Sequence, residues 1–184
     1  MQGYKMRYVC FLRGINVGGH KVILMENLKK MFESFGLKNV KTFIQSGNVL
    51  FDSPQNDRKK LAKKISYGLF KNTGYDIEVF VRDINTVKNI LRDTPFPGIV
   101  PDKIIKIYIT FLNEIPSEEK KNAIESMSYD AEKFIIRGEE VYMLINKERL
   151  GPKPLYSTNF VEKKLGLKGT SRDWSTLTKL INIE

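Results

Sequence analysis

Nine residues behind the first apolar run, Arg13-Gly14-Ile15-Asn16-Val17-Gly18-Gly19-His20-Lys21, combine three glycines, two permanent cations and the chain's single histidine. Such a run can hold an anion. Glycines let backbone N–H groups approach it closely, the start of a following helix carries partial positive charge, and an arginine offers a two-pronged guanidinium. A second run, Gln45-Ser46-Gly47-Asn48, supplies neutral donors and acceptors. Neither run ends in the Gly-Lys-Ser/Thr of a phosphate loop, and neither has the G-x-G-x-x-G spacing of a dinucleotide fold. A plainer reading is that Gly14, Gly18 and Gly19 only let the loop turn and Asn48 only completes a tight hairpin. His20 is a weak candidate for acid–base work, because imidazole titrates near neutral pH. No catalytic residue is assigned. Cys10 lies between Val9 and Phe11 with no partner base in sequence, which suits a small core residue better than a reactive thiol. With one Cys and one His, no metal site or disulfide scaffold is expected.

The elements that must position these residues follow from periodicity. Tyr8 to Leu12 reads as an apolar strand, and Met25, Leu28, Phe32 and Phe35 fall at helical spacing until Gly36 ends the helix. Val40–Gln45 and Asn48–Phe51 are β-rich runs around Ser46 and Gly47, a hairpin pattern. A helix over about 57–70 places Leu61, Ile65 and Leu69 on one face and Lys59, Lys60, Lys63 and Lys64 mostly off it, as a solvated face would. Ile77–Val81 is the fourth strand, and Asp83 can cap a final helix, as Asp173 can later in the chain.

That series then repeats. YVCFLR at 8–13 is answered by YITFLN at 108–113, FIQSGNV at 43–49 by FIIRGEEV at 134–141, and RDINTVKNIL at 82–91 by RDWSTLTKLI at 172–181. Three matches in one order indicate an internal duplication, with a boundary near Pro95, Pro97, Gly98 and Pro101. The second half is expected to have strands near 104–112, 131–136, 140–145 and 168–171 and helices near 117–126 and 157–165. The order β-α-β-β-α-β is the ferredoxin-like arrangement, an antiparallel sheet with helices on one face. The predicted fold is therefore α+β: two tandem ferredoxin-like subdomains, 1–96 and 97–184. The halves differ in one place. Phe11 to Phe43 spans 32 residues and Phe111 to Phe134 spans 23, so nine extra residues are expected in the first half, most of them in the Arg13–Lys21 loop. Strands 1 and 2 of such a unit run parallel, so the loop should meet the Gln45–Asn48 hairpin.

Composition limits the function classes. The chain has 184 residues, 41% of them apolar, and carries +10 at neutral pH. It is long enough to bury a core without cross-links. The charge is uneven: +6 over 1–50, +3 over 51–101, −3 over 102–146 and +4 over 147–184. A uniform basic coat for nucleic acid is thus disfavoured, and a local basic region is favoured. No apolar run approaches the ~18 residues of a membrane span, and the start MQGYKMRY lacks the apolar core of a leader, so a soluble cytoplasmic protein with no membrane partner is expected.

FLRGINVGGHK, FIQSGNVLF and GTSRDWSTLTKL together resemble the three signature segments of the bacterial domain of unknown function 1697 family. The resemblance runs from Arg7 to Leu180. It implies paired ferredoxin-like subdomains and no established activity or cofactor. Carried over by position, it marks Arg13, Gly14, Asn16, Gly18 and Gly19, then Gln45, Ser46, Gly47 and Asn48, then Thr170, Arg172 and Trp174. Two departures stand out: Asp173 and Ser175 occupy positions where the family more often has Asn, and Leu24 stands where it tends to have Pro. Arg172 and Trp174 could offer charge and a stacking surface to a nucleotide or sugar phosphate, although Trp174 equally suits a core. The reading that follows is a protein binding a small anionic ligand, a nucleotide or phosphorylated metabolite, through Arg13 to Lys21 and Gln45 to Asn48. The alternatives are a single-stranded nucleic-acid module, less favoured because Asn48–Phe51 lacks an aromatic-rich pattern, and a protein-interaction module without a ligand.

Overall fold

The computed structural model describes residues 6–184, so the first five residues of the start read above for a leader lie outside it. The described chain divides into two compact units that meet between Lys88 and Asn89, with Glu184 grouped with the first. The first unit contains β1 (Met6–Leu12), α1 (Met25–Ser34), β2 (Lys38–Phe43), β3 (Asn48–Ser53), α2 (Arg58–Thr73) and β4 (Val79–Asp83); α3 (Ile84–Arg92) crosses the division. Its sheet has the order β2-β3-β1-β4, antiparallel throughout. The second contains β5 (Ile105–Leu112), α4 (Glu118–Glu125), β6 (Glu132–Arg137), β7 (Glu140–Asn146), α5 (Thr158–Leu165), β8 (Gly169–Asp173) and α6 (Trp174–Asn182), with the order β6-β7-β5-β8. Each half is a ferredoxin-like unit followed by one more helix. Among the described residues no helix is long and apolar enough to cross a membrane.

The core of the first unit forms where one face of β1 and β3 (Tyr8, Cys10, Leu12, Val49, Phe51) meets Leu28 and Phe32 of α1 and Leu61, Ile65 and Leu69 of α2. The i, i+4, i+8 spacing of the α2 leucines and isoleucine puts them on one stripe, and that stripe is buried. Asp57 starts α2 by accepting the amides of Lys59 and Lys60 at 3.0 Å, and the Lys60 amide chiefly holds its carboxyl below the usual carboxylate range. Cys10 is a buried free thiol, as its mid-strand place suggested. In the second unit Leu112, Phe134, Val141 and Met143 meet Ile124 of α4 and Val161 and Leu165 of α5. The caps expected at Asp83 and Asp173 are made, to the amides of Asn85 at 2.7 Å and Ser175 at 2.8 Å.

Three sequence expectations need correction. The fourth strand begins at Val79, two residues later than read, because Ile77 is buried ahead of the ladder rather than in it. The repeat pairs Phe43 with Arg137, not with Phe134: Phe11 and Phe111 stand opposite Asn48 and Glu140, which close hairpins at Phe43 and Arg137. Two similar Phe-Ile pairs had drawn the alignment three residues out of step. The extra length is consequently shared. Twelve residues, Arg13–Leu24, join β1 to α1 where five, Asn113–Ser117, join β5 to α4, and the hairpin turn has four residues, Ile44–Gly47, against two, Gly138–Glu139.

One buried carboxylate anchors the irregular part of the second unit. Glu132 is fully buried and accepts the amides of Leu155 and Tyr156, both at 2.7 Å, and the Tyr129 hydroxyl at 2.8 Å. Those bonds hold the turn that enters α5. Glu132→Ala removes three charge-assisted acceptor contacts and strands two amides, so equilibrium urea unfolding should show a loss of about 2–4 kcal/mol, with Glu132→Gln losing less.

Candidate functional site

The long loop leaves β1 at a fixed point. Leu12 donates its amide to the Gly47 carbonyl at 2.8 Å and Arg13 to the Glu78 carbonyl at 3.0 Å, so the strand end is held by the hairpin on one side and by the approach to β4 on the other. The second half makes the same two bonds, Leu112 to Glu139 at 2.8 Å and Asn113 to Lys168 at 3.1 Å. The duplicated frame thus delivers both chains to equivalent places, and only the first half builds beyond it.

Inside the loop, Asn16 is the organiser. Its side-chain oxygen accepts the Ile23 amide at 2.8 Å, while its amide nitrogen donates to the Ile23 carbonyl at 3.0 Å and the Gln45 carbonyl at 2.9 Å. It therefore closes the loop on itself and ties it to the hairpin. The tip is a miniature hairpin in which Val17 bridges His20 and the His20 amide donates to the Val17 carbonyl at 3.0 Å. Gly18 and Gly19 between them have φ of +60° and +76°, the pair of left-handed residues that a two-residue turn of this hand needs. Ile15 is buried beneath, and the Lys21 ammonium donates to the Asp76 carbonyl.

The hairpin is built as tightly. Gly47 has φ +76°, and a Cβ there would stand 2.8 Å from Leu12 Cβ and 2.9 Å from Ile15 Cδ1. Asn48 is fully buried and donates to the Phe43 carbonyl at 3.1 Å and the Ser46 hydroxyl at 3.0 Å. The loop and the Gln45–Asn48 turn do meet, therefore, with Asn16, Gly47 and Asn48 holding the assembly together. Arg13 is half-buried at the strand end; Gly14, Gly18, Gly19, His20 and Gln45 are exposed.

Arg172 and Trp174 lie in the second unit. Arg172 is buried and donates to the Thr170 hydroxyl at 2.9 Å and the Ser171 carbonyl at 2.8 Å; Trp174 is half-buried at the first position of α6. The duplication explains this arginine. Arg82, opposite Val9 as Arg172 is opposite Ile109, is also buried and donates to the preceding carbonyl, that of Val81, at 3.1 Å. The same residue serves the same strand in both halves.

An open cleft of about 490 Å³ lies where the loop runs into α1, lined by Val22, Ile23 and Leu24, by Asn27 and Lys30 of α1, and by Asn72, Thr73 and Tyr75 at the end of α2. None of the residues chosen from sequence lines it. No sequence signal marks it, since its walls come from segments some fifty residues apart that only the fold brings together. Lys30 and Glu26 pair across one helical turn at 2.8 Å, each favouring the other's charged form. Leu24 opens α1 without any side-chain cap. Among the described residues no cluster of His, Cys, Asp and Glu could hold a metal ion.

A family model described as protein of unknown function (DUF1697) matches residues 6–142, which takes in the loop and the hairpin and stops short of the Gly169–Leu180 segment. Among solved structures, a conserved bacterial protein, SP0830 from Streptococcus pneumoniae, shares the fold with a TM-score of 0.72 at 19% identity, covering 97% of this chain and 98% of that one. No curated protein matches the chain.

Gly47→Ala must force a left-handed alanine into atoms already in contact, so thermal or urea unfolding should show a loss of roughly 2–4 kcal/mol. Asn48→Ala leaves the Phe43 carbonyl without this partner and should cost about 1–3 kcal/mol by the same measurement.

Proposed function

Since the chain belongs to the DUF1697 family of proteins of unknown function, we propose from its own geometry that it binds a small anionic ligand, a nucleotide or phosphorylated metabolite, through the Arg13–Lys21 loop and the Gln45–Asn48 hairpin. One observation carries the reading. Within nine residues the backbone turns left-handed at Gly14, Asn16, Gly18, Gly19 and Lys21. Left-handed residues bend a chain into concave turns whose N–H groups can hold an anion; the Asn16 and His20 amides close the loop on the Lys21 and Val17 carbonyls, which leaves the glycines as the points of approach. At Gly14 and Gly19 nothing lies within 4 Å of where a Cβ would be, so the backbone is open to approach.

The surrounding chemistry supports the same ligand class. Arg13 and His20 flank the turn, and the uncapped start of α1 adds positive potential at the loop's exit. The hairpin contributes Gln45, an exposed amide on the turn that Asn16 ties to the loop. Asn16, Gly47 and Asn48 act here by positioning, since their side chains or space are taken up in the frame.

The test is a melting curve of the full chain against inorganic phosphate, nucleotides and sugar phosphates. A ligand at about 100 times its Kd should raise stability by roughly 2.7 kcal/mol. Arg13→Ala should abolish that shift while the unliganded melting temperature stays within a few degrees. A shift of full size in Arg13→Ala and in the Gly18→Ala/Gly19→Ala double variant would overturn the reading.

A further inference from the structure

We propose that the exposed face of α2 is a second, separate binding surface, and that it takes single-stranded nucleic acid: lysines on the phosphates, Tyr67 and Phe70 stacked on bases. The argument begins with the helix's charges. Arg58–Thr73 carries six basic residues and no acidic one. Two other helices pair lysines with acids of their own, Lys30 with Glu26 and Lys29 with Glu33 in α1, Lys121 with Glu118 in α4. On α2 Lys60 lies 3.7 Å from Asp57, the cap outside the helix. With six basic residues and no acid of its own, the outer face of α2 is the most basic helical surface of the described chain.

The second observation is aromatic. Tyr67 is 65% exposed and Phe70 51%, although the helix buries its leucines and isoleucine completely on the opposite side. At 3.6 residues per turn Lys59, Lys60, Lys63 and Lys64, the two rings and Lys71 fall within one stripe roughly 140° wide. Tyr67 stands one turn, about 5.4 Å, beyond Lys63 and Lys64, the sequence of contacts that a backbone phosphate followed by its base would meet. The Lys71 ammonium, 5.5 Å from the Tyr67 ring centre, steadies that ring. A depression of about 180 Å³ whose lining includes Lys60 and Lys64 of α2 together with Ser53 and Gln55 offers a seat for a phosphate.

The chemistry chooses among polyanions. The apolar stripe of α2 is already in the core, which leaves two rings and no continuous apolar face to immerse in a lipid surface. A duplex keeps its bases stacked away from surface rings, whereas a single strand presents them. The sheets do not supply the stacking platform that other ferredoxin-like proteins use, since Phe11, Phe80 and Phe111 on the strands are buried.

The experiment titrates the full chain into fluorescein-labelled oligo-dT and oligo-U single strands by anisotropy. Four phosphate contacts should weaken binding roughly fiftyfold between about 50 and 200 mM salt. Tyr67→Ala/Phe70→Ala should lose about tenfold or more at fixed salt, and Lys63→Glu/Lys64→Glu should lose binding, both with the melting temperature of the parent. Arg13→Ala should bind the strand as the parent does, which separates this surface from the loop. No binding at the lower salt, equal affinity for inorganic polyphosphate, preference for phosphatidylglycerol vesicles, or an unchanged affinity in the double-aromatic variant would each overturn the proposal.

Discussion

The Leu12 amide and the Gly47 carbonyl share a hydrogen bond of 2.8 Å on which the first unit's distinctive end depends. It fixes the last residue of the central strand against the hairpin, and the space it encloses admits no side chain at position 47. Ile15 can then bury beneath the turn, and Asn16 can reach both Ile23 and Gln45. A loop of twelve residues would ordinarily be costly to order. Here it hangs from a strand end held on both sides, with two buried side chains, Ile15 and Ile23, and one asparagine limiting its freedom.

The repeat shows how such a loop can be added without disturbing a fold. Both halves close the strand end with the same pair of backbone bonds, and both turn the Arg-Asp pair that follows into a buried arginine and a helix cap. The second half passes from strand to helix in five residues and keeps a two-residue turn. Everything that distinguishes the first half at this end is insertion onto a shared frame.

Much of this was legible in the sequence, for reasons that differ by element. Leu61, Ile65 and Leu69 gave α2 its face through spacing alone, and Asp83 and Asp173 announced their helices because capping is a local interaction. That the loop would meet the hairpin followed from topology. The roles of Asn16 and Asn48 did not, since an asparagine that builds a loop and one that contacts a ligand look alike until burial and partners are known. The burial of Arg172 was not legible either, and its counterpart Arg82 shows that the duplicated strand holds an arginine in the same way. The cleft beside α1 was invisible, because Asn27 and Asn72 become neighbours only in three dimensions. The lysines of α2 were read correctly as exposed; what sequence did not show was that Tyr67 and Phe70 stand exposed among them.

That acid-free helix also bears on how the molecule folds. Lys59 and Lys63, and Lys60 and Lys64, stand four residues apart, the spacing at which like charges oppose helix formation. Left to itself the segment would form a poor helix, and Gly68 in its interior weakens it further. Its order is therefore borrowed from the sheet: Leu61, Ile65 and Leu69 must find β1 and β3 before the lysines can be held in register. The helix is accordingly held by the packing of that stripe rather than by its own propensity, and salt that screens its lysines should strengthen it.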